Sequence, residues 1–165
     1  MPELSRRVQT FTDSVIRRMT RISDEVDAIN LSQGFPDFPP PKAITDRLRE
    51  VADEGPHQYS VTFGAENFRE ALARKQGRAY GREINPDTEI LVTCGGTEAM
   101  MSAMMTVCNP GDKVIVFSPF YENYGADAIL SGADPIFVPL VPPTFDFDRD
   151  VLEDAFRQHP KAIIV

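Results

Sequence analysis

The segment at residues 90–125 constrains the fold of this chain more than any other part of its sequence. A short apolar run at 90–92 leads into the small residues CGGT at 94–97, and a helical pattern follows directly. A strand that ends at a helix start directs unpaired backbone N–H groups and the positive end of the helix dipole toward one point. Glycine lets a phosphate approach the backbone there, and Thr97 adds a hydroxyl donor. From these residues alone, an ordinary turn capped by Thr97 is an equally good interpretation.

The next predicted strand, at 113–117, ends differently from the corresponding strand of dinucleotide-binding folds. Those folds need glycines in the pattern G-x-G-x-x-G and an acidic residue about 20 positions further on. Here the third glycine is absent, and the strand is followed by SPFY at 118–121. Because ligands of open α/β sheets bind at the carboxyl ends of strands, Tyr121 is placed to meet one. A phosphate-binding turn beside an aromatic side chain fits a flat phosphorylated ring.

The rest of the chain predicts an α/β domain preceded by a helical arm. Apolar residues at helical spacing predict helices near 12–27, 41–53, 65–80, 97–108, 121–131 and 148–158. Short apolar runs predict strands near 89–93, 113–117 and 134–138 and at the end of the chain. Because strands and helices alternate, we expect parallel neighbours joined by right-handed crossovers.

The apolar faces of the predicted helices indicate which side chains pack inward. The first helix, with Thr12 as its predicted cap, presents Phe11, Val15, Ile22 and Val26 on one face. The side chains expected to face inward from other helices are Ile44, Leu48, Val51, Phe68, Leu72, Val151, Leu152, Ala155 and Phe156. The methionines of the 97–108 helix are expected to pack it on the sheet.

Composition excludes several classes of function. The chain has 165 residues, 42% of them hydrophobic, which is the size of one ordinary domain with enough apolar residues for a core. A net charge of −8 argues against nucleic acids and anionic membranes as general partners. The sequence has no apolar run long enough for a transmembrane helix and no signal-peptide core at its charged N-terminus. Cys94 and Cys108 lack the spacing of metal ligands, so we expect reduced structural thiols in the cytoplasm and no metal.

Five motifs along the chain together resemble one enzyme family. In order they are LSQGFPD at 31–37, QY at 58–59 with Gly64 and FR at 68–69, VTCGGTEA at 92–99, PGD at 110–112 and SPFYENY at 118–124. They resemble the N-terminal part of a fold-type-I pyridoxal-phosphate aminotransferase, of the branch that includes the kynurenine and methionine aminotransferases. The resemblance runs from about residue 15 to the end of the chain. Each motif is weak alone, and their common order makes the resemblance specific.

The resemblance implies a cofactor, pyridoxal 5'-phosphate, and roles for particular residues. Gly96 and Thr97, with the N–H of Glu98, match the family's phosphate-binding turn. Tyr121 matches the aromatic residue that stacks on the pyridine ring. The implied reaction is amino-group transfer between an amino acid and a 2-oxo acid.

Two further matches concern the substrate and a second subunit. Tyr59 matches the tyrosine that reaches the cofactor phosphate of the neighbouring subunit, which implies a homodimer with a shared active site. Gly34 matches the glycine that lies near the substrate carboxylate. Without the family resemblance, a half-buried loop tyrosine and a plain turn glycine are the better interpretations of these two residues.

The resemblance also identifies functional groups that this sequence lacks. The family's Schiff-base lysine, its aspartate at the pyridine nitrogen and its carboxylate-binding arginine lie further along. The four lysines here, Lys42, Lys75, Lys113 and Lys161, do not have that lysine's context. We therefore expect the front two-fifths of such an enzyme, with no catalytic residue of its own and no activity by itself. Residues 1–50 would form the N-terminal arm and part of the small domain, and residues 51–165 the front half of the large domain.

Two alternatives to amino-group transfer are compatible with the same residues. One keeps the fold and cofactor and changes the reaction, for example to β-elimination. The other is a non-catalytic binding module or remnant that retains the phosphate-binding turn without the lysine. The sequence does not identify the amino acid and 2-oxo acid, because the resemblance implies that much of this specificity lies further along the family's sequence and in the neighbouring subunit.

Overall fold

The computed structural model describes residues 3–9, 11, 13–55 and 57–165, and packing divides the chain into two compact units. We call Ser14–Val92 the helical unit. The second, the sheet unit, combines Met1–Asp13 with Thr93–Val165. The division near residue 50 that the family resemblance implies concerns the domains of a whole enzyme and stays a prediction.

The helical unit contains three helices close to the predicted ranges. They are α1 (Val15–Glu25), α2 (Lys42–Glu54) and α3 (Glu66–Tyr80). The side chain of Ser14 caps α1 by accepting a hydrogen bond from the Arg17 N–H, whereas the predicted cap, Thr12, lies outside the described residues. Gly81 ends α3 in the left-handed conformation, at φ 64°, where glycine carries no steric cost.

A buried arginine holds the loops of the helical unit together. Arg69 donates from Nε to the Gly64 carbonyl at 3.0 Å and from Nη1 to the Pro86 carbonyl at 2.7 Å. Nη1 also lies 2.6 Å from Asp87 Oδ1. Because each of these acceptors compensates the buried guanidinium, Arg69 of the FR motif has a structural role in this chain.

The prediction of a strand near 89–93 is wrong. Residues 89–93 form no strand hydrogen-bond ladder with any described residue, although the Val92 N–H donates to the Phe63 carbonyl at 3.0 Å. An apolar run forms a strand only where a neighbouring strand offers a ladder of partners, and no described residue offers one here. The other three predicted strands are present.

The sheet unit contains a four-stranded sheet in the order β3-β2-β1-β4. Its strands are β1 (Lys113–Ser118), β2 (Asp134–Val141), β3 (Asp146–Phe147) and β4 (Ala162–Ile164). Strand β1 is parallel to both β2 and β4, with Ile115 opposite Ile136 and Ile163, as the alternating pattern predicted. The short β3 pairs antiparallel with β2 and was not predicted.

Three helices pack around this sheet, namely α4 (Gly96–Val107), α5 (Asn123–Leu130) and α6 (Arg149–Arg157). Helix α5 packs on α4, β1 and β2, and α6 packs on β2. One core cluster contains Met104, Cys108, Val114, Val116, Ala128, Ala133 and Ile164, and the other contains Ile115, Val138 and Ala155. Of the four methionines expected in the core, Met104 is buried, Met100 packs against the first cluster and Met105 is exposed.

Many side chains predicted to face inward are exposed. They include Val15, Ile22, Val26, Ile44, Leu48, Val51, Phe68, Val151 and Phe156. Of the residues predicted to face inward from α6, Ala155 alone is fully buried. Helical periodicity shows that a face is apolar and does not show how much of it another element covers; α6, for example, packs on β2 and buries Ala155 while Val151 and Phe156 stay exposed.

Candidate functional site

The first turn of α4 has the geometry of an anion-binding turn. Gly95 precedes the helix with φ 88°, a conformation that only glycine adopts without strain. The Ala99 N–H donates to the Gly95 carbonyl at 3.3 Å, so the N–H groups of Gly96, Thr97 and Glu98 precede the first intrahelical bond. These three amides and the positive end of the helix dipole are directed at the same space.

The turn before α4 is closed by hydrogen bonds among its own residues. The Gly95 N–H donates to the Thr93 carbonyl at 2.8 Å, and Thr93 Oγ1 donates to the Gly95 carbonyl at 3.0 Å. The Glu98 carboxylate accepts a hydrogen bond from the Cys94 N–H. This reach-back bond uses the acidic side chain of Glu98 locally, so the residue offers its backbone N–H to a ligand while its carboxylate is engaged.

The hydroxyl of Thr97 is oriented from the neighbouring helix. Asn123 Nδ2 donates to Thr97 Oγ1 over 2.6 Å, from the first residue of α5 to the second residue of α4. Because the hydroxyl oxygen accepts this bond, its hydrogen is left to donate to another acceptor. Sequence analysis did not assign a role to Asn123, and its position two residues after Tyr121 was the available signal.

A cavity of about 340 Å³ opens in front of this turn. Its lining residues are Gly96, Thr97, Met100, Tyr121, Asn123, Tyr124 and Asp127. The structure therefore brings Thr97 and Tyr121 to one cavity, as expected if a single ligand uses both.

Tyr121 also lines a second, more apolar cavity. That cavity, of about 420 Å³, lies at the carboxyl ends of β1 and β4, where Phe117, Ile164 and Val165 contribute to its wall. The Tyr121 ring is 53% exposed and packs edge-on against Tyr124, with their centroids 5.9 Å apart and their planes at 76°. A half-exposed phenol that lines the cavity is available to stack on a planar ligand.

Asp127 is the other residue of the cavity that sequence analysis missed. Its side chain is 3% exposed, and its Oδ2 has no hydrogen-bond partner among the described residues. Burial raises the pKa of Asp127 above the ordinary aspartate value. An acidic residue inside an otherwise apolar helix segment, GADAIL at 125–130, was the available sequence signal.

The first turn of α4 fits a phosphate monoester. A methyl group added to Gly96 would meet no atom within 4 Å, so the space beside its Cα is open to a ligand. Three backbone N–H groups, the Thr97 hydroxyl and a helix start are the donor set that proteins use for phosphate. In the described residues, no group of three or more histidine, cysteine or acidic side chains could hold a metal ion.

The remaining predicted site residues belong to the helical unit. The Tyr59 side chain is fully exposed, and a Cβ at Gly34 would meet no atom within 4 Å. Their roles at a shared active site stay predictions. No lysine lines the cavity in front of α4.

The sequence and fold both match known aminotransferases. Residues 26–165 match the family described as Aminotransferase class I and II. The methionine aminotransferase of Escherichia coli (strain K12) is 38% identical over 152 residues, which are 92% of this chain and 39% of the relative. Kynurenine--oxoglutarate transaminase 3 of Rattus norvegicus is 32% identical over 172 residues, 98% of this chain and 38% of the relative. The solved N-succinyldiaminopimelate aminotransferase of Mycobacterium tuberculosis has a TM-score of 0.88 at 32% identity, covering 99% of this chain and 43% of that one.

These matches confirm the fold class and the family resemblance inferred from the sequence motifs. Class I and II aminotransferases are pyridoxal-phosphate-dependent enzymes of fold type I. The chain spans about two fifths of the length of the curated relatives it matches. The chain belongs to the class I and II aminotransferase family.

Proposed function

We propose that the complete protein transfers an amino group between an amino acid and a 2-oxo acid, with pyridoxal 5'-phosphate as its cofactor. The observation that carries this proposal is the cavity shared by the first turn of α4 and the Tyr121 ring. A phosphate-binding turn alone fits many ligands. A phosphate-binding turn with a stacking aromatic on the same cavity fits a phosphorylated planar ring.

The first turn of α4 and the Tyr121 ring have separate tasks in this proposal. The N–H groups of Gly96, Thr97 and Glu98 bind the phosphate oxygens, and the Thr97 hydroxyl adds a fourth donor. Tyr121 stacks on the ring and excludes water from one of its faces. Bound there, the cofactor supplies an electron sink for the electron pair released when the substrate loses its α-proton.

The proposed partners are small molecules and a second subunit. We assign amino acids and 2-oxo acids as the substrate classes. We do not assign a particular pair, because the relatives are named for different amino acids, methionine and kynurenine. In a homodimer, the exposed Tyr59 would reach the phosphate of the other subunit, and Gly34 would lie near the substrate carboxylate. Nucleic acids and membranes are not proposed as partners, and no helix in the described ranges is long and apolar enough to cross a membrane.

A cytoplasmic location is part of the same proposal. Cys94 and Cys108 are both free thiols, one exposed and one buried. Burial raises the pKa of the Cys108 thiol, so this side chain stays protonated and unreactive in the core. Two unpaired cysteines suit a reducing compartment.

The proposal is tested by removing the hydroxyl that faces the cavity. In the protein expressed from its complete reading frame, Thr97→Ala should weaken cofactor binding by about 1–3 kcal/mol, the scale for a hydrogen bond to a charged group. Thr97→Ser keeps the hydroxyl and should retain most of the affinity. Calorimetric titration of the cofactor-free protein measures the cofactor affinity of both variants. An unchanged affinity in Thr97→Ala would show that this turn does not bind the cofactor phosphate.

A further inference from the structure

The Asp127 carboxyl group has no role in the proposed function described so far. Its Oδ2 is buried and unpartnered in the described residues, and the side chain lines the same cavity as Gly96 and Thr97. Asp127 lies one helical turn after Asn123, which binds Thr97, so both side chains belong to the face of α5 that meets the turn. A buried polar atom without a hydrogen-bond partner lowers the stability of the fold. Asp127 Oδ2 would gain a partner if the ligand in this cavity carries a polar group.

Four charged side chains on the elements packed against α5 have partners other than Asp127. On α4, the Glu98 carboxylate binds within its own turn. On β1 and β2, Lys113 and Asp134 form an ion pair at 3.1 Å. From the 3₁₀ turn at Arg6–Val8, the Arg7 guanidinium donates to the Leu130 carbonyl at the last residue of α5, 3.4 Å away. The titratable groups that line the cavity together with Asp127 are the phenols of Tyr121 and Tyr124, and no cation lines it.

We propose that Asp127 carries a proton and donates a hydrogen bond through it to the phosphate group bound at the first turn of α4. This inference rests on the proposed function, because it takes a pyridoxal phosphate ester as the occupant of the cavity. An ionised carboxylate would repel the phosphate, whereas the acid form is a donor. Burial raises the pKa of Asp127 with no lining cation to oppose it, and a bound phosphate raises it further.

The test separates the phosphate contact from the rest of the site by its choice of ligands. Pyridoxine 5'-phosphate and pyridoxine share the ring and differ in the phosphate, and neither has the aldehyde that reacts with a lysine. Calorimetry measures the affinity of both for the cofactor-free protein made from its complete reading frame. The variants are Asp127→Ala, Asp127→Asn and a control, Asp134→Asn, which makes the same amide substitution at an exposed position outside the cavity.

The expected result is a pattern across ligands. Asp127→Ala lowers the affinity for pyridoxine 5'-phosphate about tenfold or more and leaves the affinity for pyridoxine unchanged, because only the phosphate loses a hydrogen-bond donor. Asp127→Asn, whose amide also donates, binds the phosphate ester within about threefold of the unmodified protein. The control leaves both affinities unchanged. A thermal unfolding scan of each variant shows whether it is folded.

Other outcomes overturn the inference in distinguishable ways. Tighter phosphate-ester binding by Asp127→Asn would mean that Asp127 is ionised and repels the ligand. Equal losses for both ligands, or none, would leave Asp127 with a purely structural role. If the unmodified protein bound neither ligand, the proposed function itself would fail. If it bound pyridoxine 5'-phosphate and Asp127→Ala bound it equally well, only the role of Asp127 would fail.

Discussion

Asn123 Nδ2 lies 2.6 Å from Thr97 Oγ1, so the first residue of α5 orients the hydroxyl in the first turn of α4. The contact joins residues 26 positions apart in the chain. Because the hydroxyl oxygen accepts this bond, the rotation of the hydroxyl is restricted and its hydrogen is left to donate to another acceptor. Phosphate affinity should therefore depend on a residue that does not itself bind phosphate.

Asn123→Ala should weaken binding of pyridoxine 5'-phosphate by about 0.5–1.5 kcal/mol, because the Thr97 hydroxyl loses its fixed orientation. Asn123→Asp should weaken it more, since a carboxylate accepts the hydroxyl hydrogen and adds a negative charge. The decisive measurement is a double-mutant cycle with Thr97→Ala. Coupled effects are expected, and strictly additive ones would show that Asn123 acts independently of Thr97.

Gly96→Ala should separate stability from binding. A Cβ at Gly96 meets no protein atom, and alanine is the better helix former, so the free energy of unfolding should stay within about 0.5 kcal/mol. The same methyl group occupies space next to the amides and should lower phosphate-ester affinity. Gly95→Ala is the matched control, because φ 88° should make it destabilising by about 1–2 kcal/mol. Denaturant unfolding and calorimetry on both variants give the comparison, and unimpaired binding by Gly96→Ala would place the phosphate elsewhere.

Asp127 should contribute a component of stability that falls with rising pH. Burial raises the pKa of Asp127 in the folded state above its unfolded value, so the folded state binds more protons in the interval between the two values. Stability is therefore lost as pH rises from about 4, near the unfolded pKa, up to the folded pKa. The isosteric Asp127→Asn does not titrate and should lack this component. Urea unfolding of both proteins in the same buffers isolates the difference, which should widen with pH, and parallel curves would contradict it.

Gly64→Ala should destabilise the helical unit through a direct clash. The added Cβ would lie 2.4 Å from Val92 Cγ2, and φ is 103° at this position. Gly81 also has a positive φ, 64°, but a Cβ there would meet no atom within 4 Å. Gly81→Ala therefore measures backbone strain alone. Gly64→Ala should cost about 1–3 kcal/mol more than Gly81→Ala, the scale for overpacking. The added Cβ would also lie 2.5 Å from Val92 Cβ, so Val92→Gly is the variant that removes both close atoms. In denaturant unfolding, Gly64→Ala should cost less in the Val92→Gly background than in the unmodified protein, and an equal cost would locate the strain elsewhere.

The polypeptide of residues 1–165, mixed with pyridoxal 5'-phosphate, should show no transamination and no site-specific attachment to a lysine. Its lysines are Lys42, Lys75, Lys113 and Lys161, and none lines the cavity in front of α4. Borohydride reduction followed by peptide mapping makes any attachment permanent and locates it. A stoichiometric label on one lysine together with turnover would overturn the assignment of the residues to the family's pattern.

Local features were well predicted from the sequence because they depend on nearby residues. Gly95 and Thr97 mark the start of α4, Gly81 ends α3, and the strand-helix alternation led to the parallel pairs of β1. Parallel pairing follows from connection length, and helix ends follow from capping and glycine conformation, so both can be read from short windows. The strand expected at 89–93 shows the limit, since a ladder also needs a neighbour.

By itself the sequence determined the family, and it predicted a phosphate-binding turn at the start of α4 with Tyr121 beside it. Only the tertiary structure decided that Asn123 orients Thr97 and that Asp127 is buried in the same cavity without a partner. Both facts depend on how α5 packs on α4 and the sheet, which joins residues distant in the chain. Periodicity identifies an apolar face, whereas the burial of one carboxyl group depends on the atoms that surround it in three dimensions.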